Sequence, residues 1–350
     1  MGITRLAAEG VRNLERFEID PGDGINVVFG ENAAGKTSLL EAIYFVSRTR
    51  SFRTALPRHM IAAGREGLWV RAEREGHVVG VARDAEGTKV RLDGQDGGSL
   101  SEIARRFPVQ VINNEHQRLL LDGPEVRRSF LNWAVFHVEP DFQEAWGRYL
   151  KALRQRNAAL RDQQPKTAWA YDEGLVAAAQ AVDALRRQLV ELLVPYWLRL
   201  VKTWLPDTDL ELSYRPGWRS ESTLAERLEA QRTLDLQRGF TNSGPHRADL
   251  AFRCGGLDAQ HRLSRGQQKL LVIALLLAQA QATKERVGRD LTLLVDDLAA
   301  ELDRRRRQQV LEEIAGFGGQ AFLTALTPTE LEPAGGGRWF HVEQGRLRPA

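Results

Sequence analysis

Residues 30–37 read Gly30-Glu31-Asn32-Ala33-Ala34-Gly35-Lys36-Thr37, with Ser38 directly after. This is the G-x-x-x-x-G-K-[ST] spacing, in which a glycine-rich turn points its backbone N–H groups at a phosphate. At these positions the lysine reaches the β- and γ-phosphates of a nucleoside triphosphate and the hydroxyl ligates Mg²⁺. The chemistry expected is therefore ATP and Mg²⁺ binding, with Gly30 through Ser38 as the cradle. Such a turn works only between a strand and a helix. The apolar run 25–29 supplies the strand, and Leu39, Leu40, Ile43 and Val46 mark one buried face of a helix over 37–46. That helix also presents its positive dipole end to the anion.

Two further constellations follow in chain order. The apolar run 291–295 ends in Asp296-Asp297, an acidic pair at the carboxyl end of a buried strand. Asp296 is expected to hold Mg²⁺, directly or through water, and Asp297 to orient or deprotonate the attacking water. Lys36, Asp296 and Asp297 are thus the candidate catalytic residues, and Thr37 with Asp296 the candidate metal ligands. Before them stands Leu263-Ser264-Arg265-Gly266-Gln267-Gln268, at the head of the apolar stretch 270–278. Ser264 predicts a helix N-cap, and Gly266 leaves the first-turn amides unobstructed. Behind a P-loop, S-x-G-Q resembles the signature of ABC-type ATPases. That resemblance makes Ser264, Gly266 and Gln267 nucleotide-binding residues of a second subunit. One P-loop and one signature per chain cannot complete a site alone, so two copies must face one another with two ATPs in the interface. Residues 299–303 stand where such proteins carry the D-loop, and Thr324 where ABC transporters carry a switch histidine.

The chain has 350 residues, 43% hydrophobic and 27% charged, with a net charge of +3. This composition reads as soluble and globular. A single cysteine, Cys254, excludes an intramolecular disulfide framework and fits a reducing compartment. The first thirteen residues carry Arg5, Glu9 and Arg12 and lack an apolar signal core. The longest apolar run, 270–278, is too short to span a bilayer. A cytoplasmic protein with no membrane partner is expected.

Alternating strands are expected at 68–72, 78–82 and 89–92, split by Glu75-Gly76, Glu86-Gly87 and the loop 93–98, giving an antiparallel meander. Another strand falls at 108–112, and a helix with proline in its first turn at 124–138. From 139 to 238 the chain becomes rich in Ala, Leu, Arg and Gln, with helical periodicity at 146–160, 175–194 and 224–236, interruptions at Pro165 and Pro195, and one strand at 209–214. Helices of about 20 residues, roughly 30 Å, are too short for a coiled-coil arm. After 239 the α/β alternation resumes: strand 249–253, helix 266–282, strand 291–295, helix 304–314, strand 320–324, and the closing pair 339–342 and 346–348. The expected organisation is an ATPase lobe begun over 1–138, a mostly helical insertion over 139–238, and the second ATPase half over 239–350.

Taken together these motifs resemble the RecF family, bacterial recombination mediators related to SMC-type ATPase heads, over nearly the whole chain. Arg12-Asn13 resembles the family's F-R-N element, and Arg48 to Thr54 its S-x-R-T segment. Pro124-Glu125-Val126-Arg127-Arg128-Ser129-Phe130-Leu131 resembles its P-x-x-R-R-x-F-L-D block, and Ser243-Gly244-Pro245-His246-Arg247 its G-P-H-R-D-D block. Asn132 replaces that first block's aspartate, Ala248 the first aspartate after H-R, Ala300 the D-loop serine, and Ala33-Ala34 stand where a glycine is usual. The turn Asn113-Asn114-Glu115 is the best candidate for the Q-loop. The resemblance implies an α/β, ABC-type ATPase head: a P-loop NTPase with a mixed sheet, an antiparallel meander and an inserted helical lobe.

It also implies that Arg12 approaches nucleotide phosphate. The function it implies is that of a weak DNA-dependent ATPase that dimerises with ATP and clamps duplex or gapped and junction DNA. Such a protein acts with RecR and RecO to load RecA. Arg50, Arg53, Arg148, Lys151 and Arg154 are the candidate DNA-contacting residues, the last three with Arg156 and Arg161 in one basic stripe. No base-reading module is evident, so binding to the DNA backbone is expected. The rival readings of the same motifs are a transporter's ATP-binding subunit and an SMC-like structural head. The length and lack of a hinge in the insertion, the missing switch histidine, and Asp297 in place of glutamate speak against them.

Overall fold

In the computed structural model, which describes residues 2–139, 141–219, 221–288, 290–298, 302–331 and 337–350, the chain forms two compact units. One comprises Met1–His116 with Gly288–Ala350, the other Gln117–Val287. The first unit opens with β1 (Ile3–Glu9), β2 (Phe17–Ile19), β3 (Ile25–Phe29), α1 (Lys36–Arg48), β4 (Leu68–Arg74), β5 (His77–Arg83), β6 (Thr88–Leu92), β7 (Gln95–Asp96), α2 (Leu100–Arg106) and β8 (Val109–Ile112). The second holds α3 (Arg118–Leu121), α4 (Pro124–Val138), α5 (Phe142–Arg161), α6 (Pro165–Ala170), α7 (Asp172–Trp204), β9 (Leu210–Arg215), α8 (Leu224–Ala230), α9 (Arg232–Arg238), β10 (Asp249–Cys254), β11 (Leu257–Asp258), α10 (Ala259–Arg262) and α11 (Arg265–Val287). The chain then returns to the first unit with β12 (Thr292–Val295), α12 (Arg304–Gly316), β13 (Ala321–Ala325), β14 (Arg338–Glu343) and β15 (Arg346–Pro349).

The first unit carries two sheets. One is antiparallel, in the order β2-β1-β4-β5-β6-β7. The other runs β15-β14-β3-β13-β12-β8, parallel except for the closing hairpin. Helix α1 is apolar on most of its circumference, which suits a helix covered on several sides. Its Leu39, Leu40, Ile43, Phe45 and Val46 share one core with Val70, Ala72, Val79 and Val81 of the antiparallel sheet and with Val28, Leu294 and Phe322 of the parallel one. The meander expected over 68–92 is β4-β5-β6, as the sequence alternation demanded. Strands β1 and β2 were not expected. Ile3, Leu6 and Ala8 are buried among more exposed neighbours, but an irregularity between Ile3 and Arg5 breaks the period-two signal.

The second unit corrects several expectations. Pro195 does not interrupt a helix: α7 runs through it for 33 residues, roughly 50 Å. A proline inside a helix removes one backbone donor. The buried face Leu189, Leu193, Trp197, Leu200, Val201 and Trp204 continues past it, and that burial outweighs the lost bond. Pro165 does mark an interruption, the break between α5 and α6, and it starts the second of these helices. The helix expected at 224–236 is two, α8 and α9, parted at Gln231. Strand β9 pairs antiparallel with β10, and β10 with β11. A strand placed in the insertion and one placed in the resumed α/β half thus share a sheet. Composition drew boundaries at 138 and 239, whereas packing groups α4 and α11 with α7 in this unit. No helix among the described residues is long and apolar enough to cross a membrane.

Candidate nucleotide site and its surroundings

The site forms at the carboxyl edge of the parallel sheet, where an α/β sheet gathers ligands. The turn leaves β3 at Gly30 and enters α1 at Lys36. Gly30 has φ 152°, and a Cβ there would lie 2.1 Å from the Val342 carbonyl oxygen on β14. Only glycine fits so close an approach. Ala33 takes φ 62°, the left-handed region that explains why glycine is usual in this stretch. Lys36 Nζ donates to the carbonyl oxygens of Gly30 at 2.7 Å and Glu31 at 2.9 Å, folding the lysine back over its own turn. Partial burial lowers the Lys36 pKa, and the charges of Asp297, Asp296 and Glu330 oppose that fall.

Asp296 stands at the end of β12, two strands from β3, and β13 fills the gap. Thr37 Oγ1 donates to Asp296 Oδ1 at 3.0 Å, and Thr324 Oγ1 on β13 donates to the same oxygen at 2.9 Å. Thr324 also accepts the Asp297 N–H at 2.8 Å, so one hydroxyl fixes both aspartates. Burial raises the Asp296 carboxyl, and the hydrogen bonds from Thr324 and Thr37 hold it down. Asp297 is exposed and left-handed at φ 57°. The donor set fits Mg²⁺: Thr37 and Asp296 offer hard oxygens side by side, and this ion takes one or two protein ligands with phosphate and water for the rest. Among the described residues there is no cluster of three or more His, Cys, Asp or Glu ligands. The Asn113-Asn114-Glu115 turn follows β8, whose Ile112 carbonyl accepts the Asp296 N–H at 2.9 Å.

Arg12 is held by the buried Glu41 of α1, Nε and Nη2 each donating at 2.9 Å, while Nη1 donates to His59 O at 2.6 Å. Arg53, expected to contact DNA, lies 3.6 Å from the same carboxylate; Arg50 is exposed. Ser264 caps α11 in the second unit: its N–H donates to Gln267 Oε1 at 2.9 Å and its Oγ accepts the Gln267 N–H at 3.4 Å. This reciprocal pair is a capping box. Ser264 remains exposed, with Gly266 half-buried beside it. On α5, Arg148, Lys151, Arg154 and Arg161 are exposed, Arg148 paired to Glu144. Arg156 is not part of that stripe. It is fully buried between Asp172 and Asp235, because α5 turns this position inward with Tyr149 and Leu153. The D-loop positions 299–301 lie outside the described residues.

Sequence reasoning missed Glu41, Asn13's task and Thr324's task. Asn13 Nδ2 donates to Ala33 O at 2.8 Å, and its Oδ1 accepts from Ser38 Oγ at 3.0 Å, bracing the turn from outside. A carboxylate inside an otherwise apolar helix face was the available signal for Glu41.

A family model described as RecF/RecN/SMC N terminal domain matches residues 2–344. The chain is 39% identical over 356 residues to the DNA replication and repair protein RecF of Shewanella piezotolerans (strain WP3 / JCM 13877), with 99% of each covered. It is 40% identical to the same protein of Shewanella amazonensis (strain ATCC BAA-1098 / SB2B) over equal coverage. Among solved structures, the recombination mediator protein RecF bound to ATP, of the RecFOR pathway, superposes with a TM-score of 0.85 at 24% identity, over 100% of this chain and 97% of that one. An Smc head domain from Pyrococcus furiosus, bound to the C-terminal domain of ScpA, gives 0.63 at 13% identity, covering 100% and 96%. The fold is thus that of the RecF and SMC ATPase heads.

Proposed function

The chain belongs to the RecF family, and from that premise we propose that it is an ATP-switched DNA-binding recombination mediator. The observation that carries the reading is the junction of Thr37, Asp296 and Thr324 beside a lysine-bearing turn. Gly30 to Ser38 bind the triphosphate, Lys36 exchanges its two carbonyl partners for phosphate oxygens, and Thr37 with Asp296 hold Mg²⁺. The ion's chemistry is charge neutralisation between phosphates. Asp297, shorter than glutamate, orients water only loosely, so turnover is slow.

Ser264, Gly266 and Gln267 serve the nucleotide of a second copy, so ATP joins two chains around duplex, gapped or junction DNA. Arg50, Arg53, Arg148, Lys151 and Arg154 supply backbone contacts, and hydrolysis releases the clamp. RecR and RecO are the expected partners, and RecA the protein ultimately loaded. Ser264→Arg tests the shared site. It should leave ATP binding intact and abolish ATP-dependent dimerisation in light scattering, together with ATP-dependent binding to gapped oligonucleotides. A variant still dimeric with ATP would refute the reading.

A further inference from the structure

Between Glu41 and Glu66 the chain has no acidic residue, while Arg48, Arg50, Arg53, Arg58 and Arg65 all fall there. Of these Arg50, Arg53, Arg58 and Arg65 are exposed, Arg65 paired with Glu9, and Leu56 at the tip of the segment is 46% exposed. The segment is pinned at both ends. At one end Phe52 packs edge-on against Tyr44 of α1, ring centroids 5.5 Å apart. At the other, Met60 is buried and its carbonyl accepts the Arg12 N–H at 2.7 Å. Between the pins, Ser51 Oγ accepts the N–H groups of Arg53 and Thr54 at 2.9 and 3.0 Å and donates to Glu41.

Glu41 therefore sits where three chain segments meet. It lies one helical turn past Thr37, its carboxylate is 0% exposed, and it serves Arg12, Ser51 and Arg53 together. Arg12 is followed by Asn13, whose side chain touches both Ala33 and Ser38 of the nucleotide turn. Arg53 is also close enough to Asp296 to pull that carboxyl down. A polyanion entering the turn acts on Arg12 through Asn13 and competes directly for Arg53. Each change alters what Glu41 has left to hold the basic segment.

We propose that residues 50–59 are a strap that binds the DNA backbone, and that Glu41 is the positioning residue that couples this strap to occupancy of the nucleotide turn. Arginines with no acidic neighbour in sequence suit phosphate, because the planar guanidinium can donate to two of its oxygens at once. The inference rests on the reading that ATP fills the turn and DNA is the partner.

The test is duplex-oligonucleotide affinity, by fluorescence anisotropy, with and without a non-hydrolysable ATP analogue and Mg²⁺. It is run on the wild type, Glu41→Gln and Ser51→Ala, with trypsin cleavage after Arg53 and Arg58 followed in parallel. Ser51→Ala replaces no residue of α1 or the turn and removes only the hydroxyl that Glu41 accepts from, so it carries the test if Glu41→Gln fails to fold. The wild type should bind DNA more tightly with the analogue. Loss of one charge-assisted hydrogen bond should shrink that ratio by about tenfold in either variant, and the analogue should no longer change their cleavage rate at the strap. Arg58→Gln should reduce the salt slope of DNA binding by about 1. A wild type indifferent to the analogue would overturn both this inference and the reading beneath it. A wild type that responds, with variants that respond equally, would overturn this inference alone. A strap whose cleavage follows the analogue while Arg58→Gln leaves DNA affinity and salt slope unchanged would exclude DNA as its partner and point to an acidic protein segment.

Discussion

Each unit buries an arginine–carboxylate centre, and the two differ in which group lies at the buried middle. In the first, one carboxylate, Glu41, is shared by two cations, Arg12 and Arg53, and Arg53 keeps 44% of its side chain in solvent. In the second, the fully buried cation Arg156 is shared by two carboxylates, one of which, Asp172, also pairs with the more exposed Arg232 at 3.3 Å. Arg156 Nε donates to Asp172 at 2.8 Å, and its Nη1 to Asp235 at 2.7 Å and Thr241 at 2.8 Å. Trp169 stacks on Arg156 at 5.4 Å and on Arg232 at 5.2 Å. Surplus cations beside a phosphate-binding turn can be redistributed by an arriving anion. A cation enclosed by two carboxylates and an indole has nothing to exchange with. The same chemistry serves as a coupling in one place and as a lock in the other, and access to solvent decides which.

The largest expected effect comes from breaking the lock. Asp235 is fully buried and also accepts from Asn242, N–H at 3.1 Å and Nδ2 at 2.7 Å. Asp235→Ala removes these acceptors and leaves Arg156 half-compensated in a dry site. The expected loss is about 3–5 kcal/mol in urea denaturation, with ATP affinity at Lys36 preserved in the protein that remains folded. A loss under about 1 kcal/mol would mean that Asp172 alone neutralises Arg156, and the contrast between the centres would collapse.

A second effect reads the lock through pH. His246 Nε2 donates to Thr241 O at 3.0 Å, and its Nδ1 accepts from Tyr149 Oη. Burial lowers its pKa from 6.5 to about 4, with Arg247 and Arg128 acting in the same direction. The unfolded chain takes up this proton below pH 6.5 while the native state refuses it down to about pH 4. Stability is therefore full above the unfolded value and falls through that window, by roughly 3 kcal/mol at its end. His246→Gln keeps a donor and an acceptor without a titrating group, so its stability should change less between pH 7 and pH 4.5. His116, lowered to about 4 by burial as well, leaves a residual slope. An unchanged slope in the variant would place the acid sensitivity elsewhere.

How far the sequence reached can be traced residue by residue. The turn 30–37, the apolar strand before Asp296 and the capped helix at Ser264 were legible because each depends on local spacing and backbone geometry. Thr324 was not. Its two hydrogen bonds arise from strand order, which places β13 between β3 and β12, and no local pattern encodes that insertion. Arg156 and Arg148 share the periodicity of one helix, so a count of basic residues cannot separate the buried one from the exposed one. Pro195 misled because its penalty is local and fixed. The reward, burial of Trp197, Leu200 and Trp204, depends on neighbours distant in sequence. Glu41 escaped because its three partners come from residues 12, 51 and 53, ordinary positions until the fold gathers them.

The smallest effect, and the sharpest probe of what makes a lock, concerns another buried arginine of the second unit. Arg186 donates to Asn132 Oδ1 from Nε at 3.1 Å and from Nη2 at 2.8 Å, and to Pro245 O from Nη1 at 2.7 Å. Trp146 stacks on it at 5.0 Å. Its geometry matches that of Arg156, but its principal acceptor is a neutral amide. Burial lowers its pKa, opposed by Tyr214, Tyr149 and Asp183. Asn132→Asp places a charge where the amide oxygen already receives two donors. If a buried carboxylate is what fixes such a cation, the variant should gain about 1 kcal/mol at pH 7, and the gain should vanish in acid as the new carboxyl is protonated. If desolvating the added charge cancels its attraction, the two proteins will unfold at the same urea concentration. The rigidity of the second unit would then rest on packing and hydrogen-bond geometry rather than on charge.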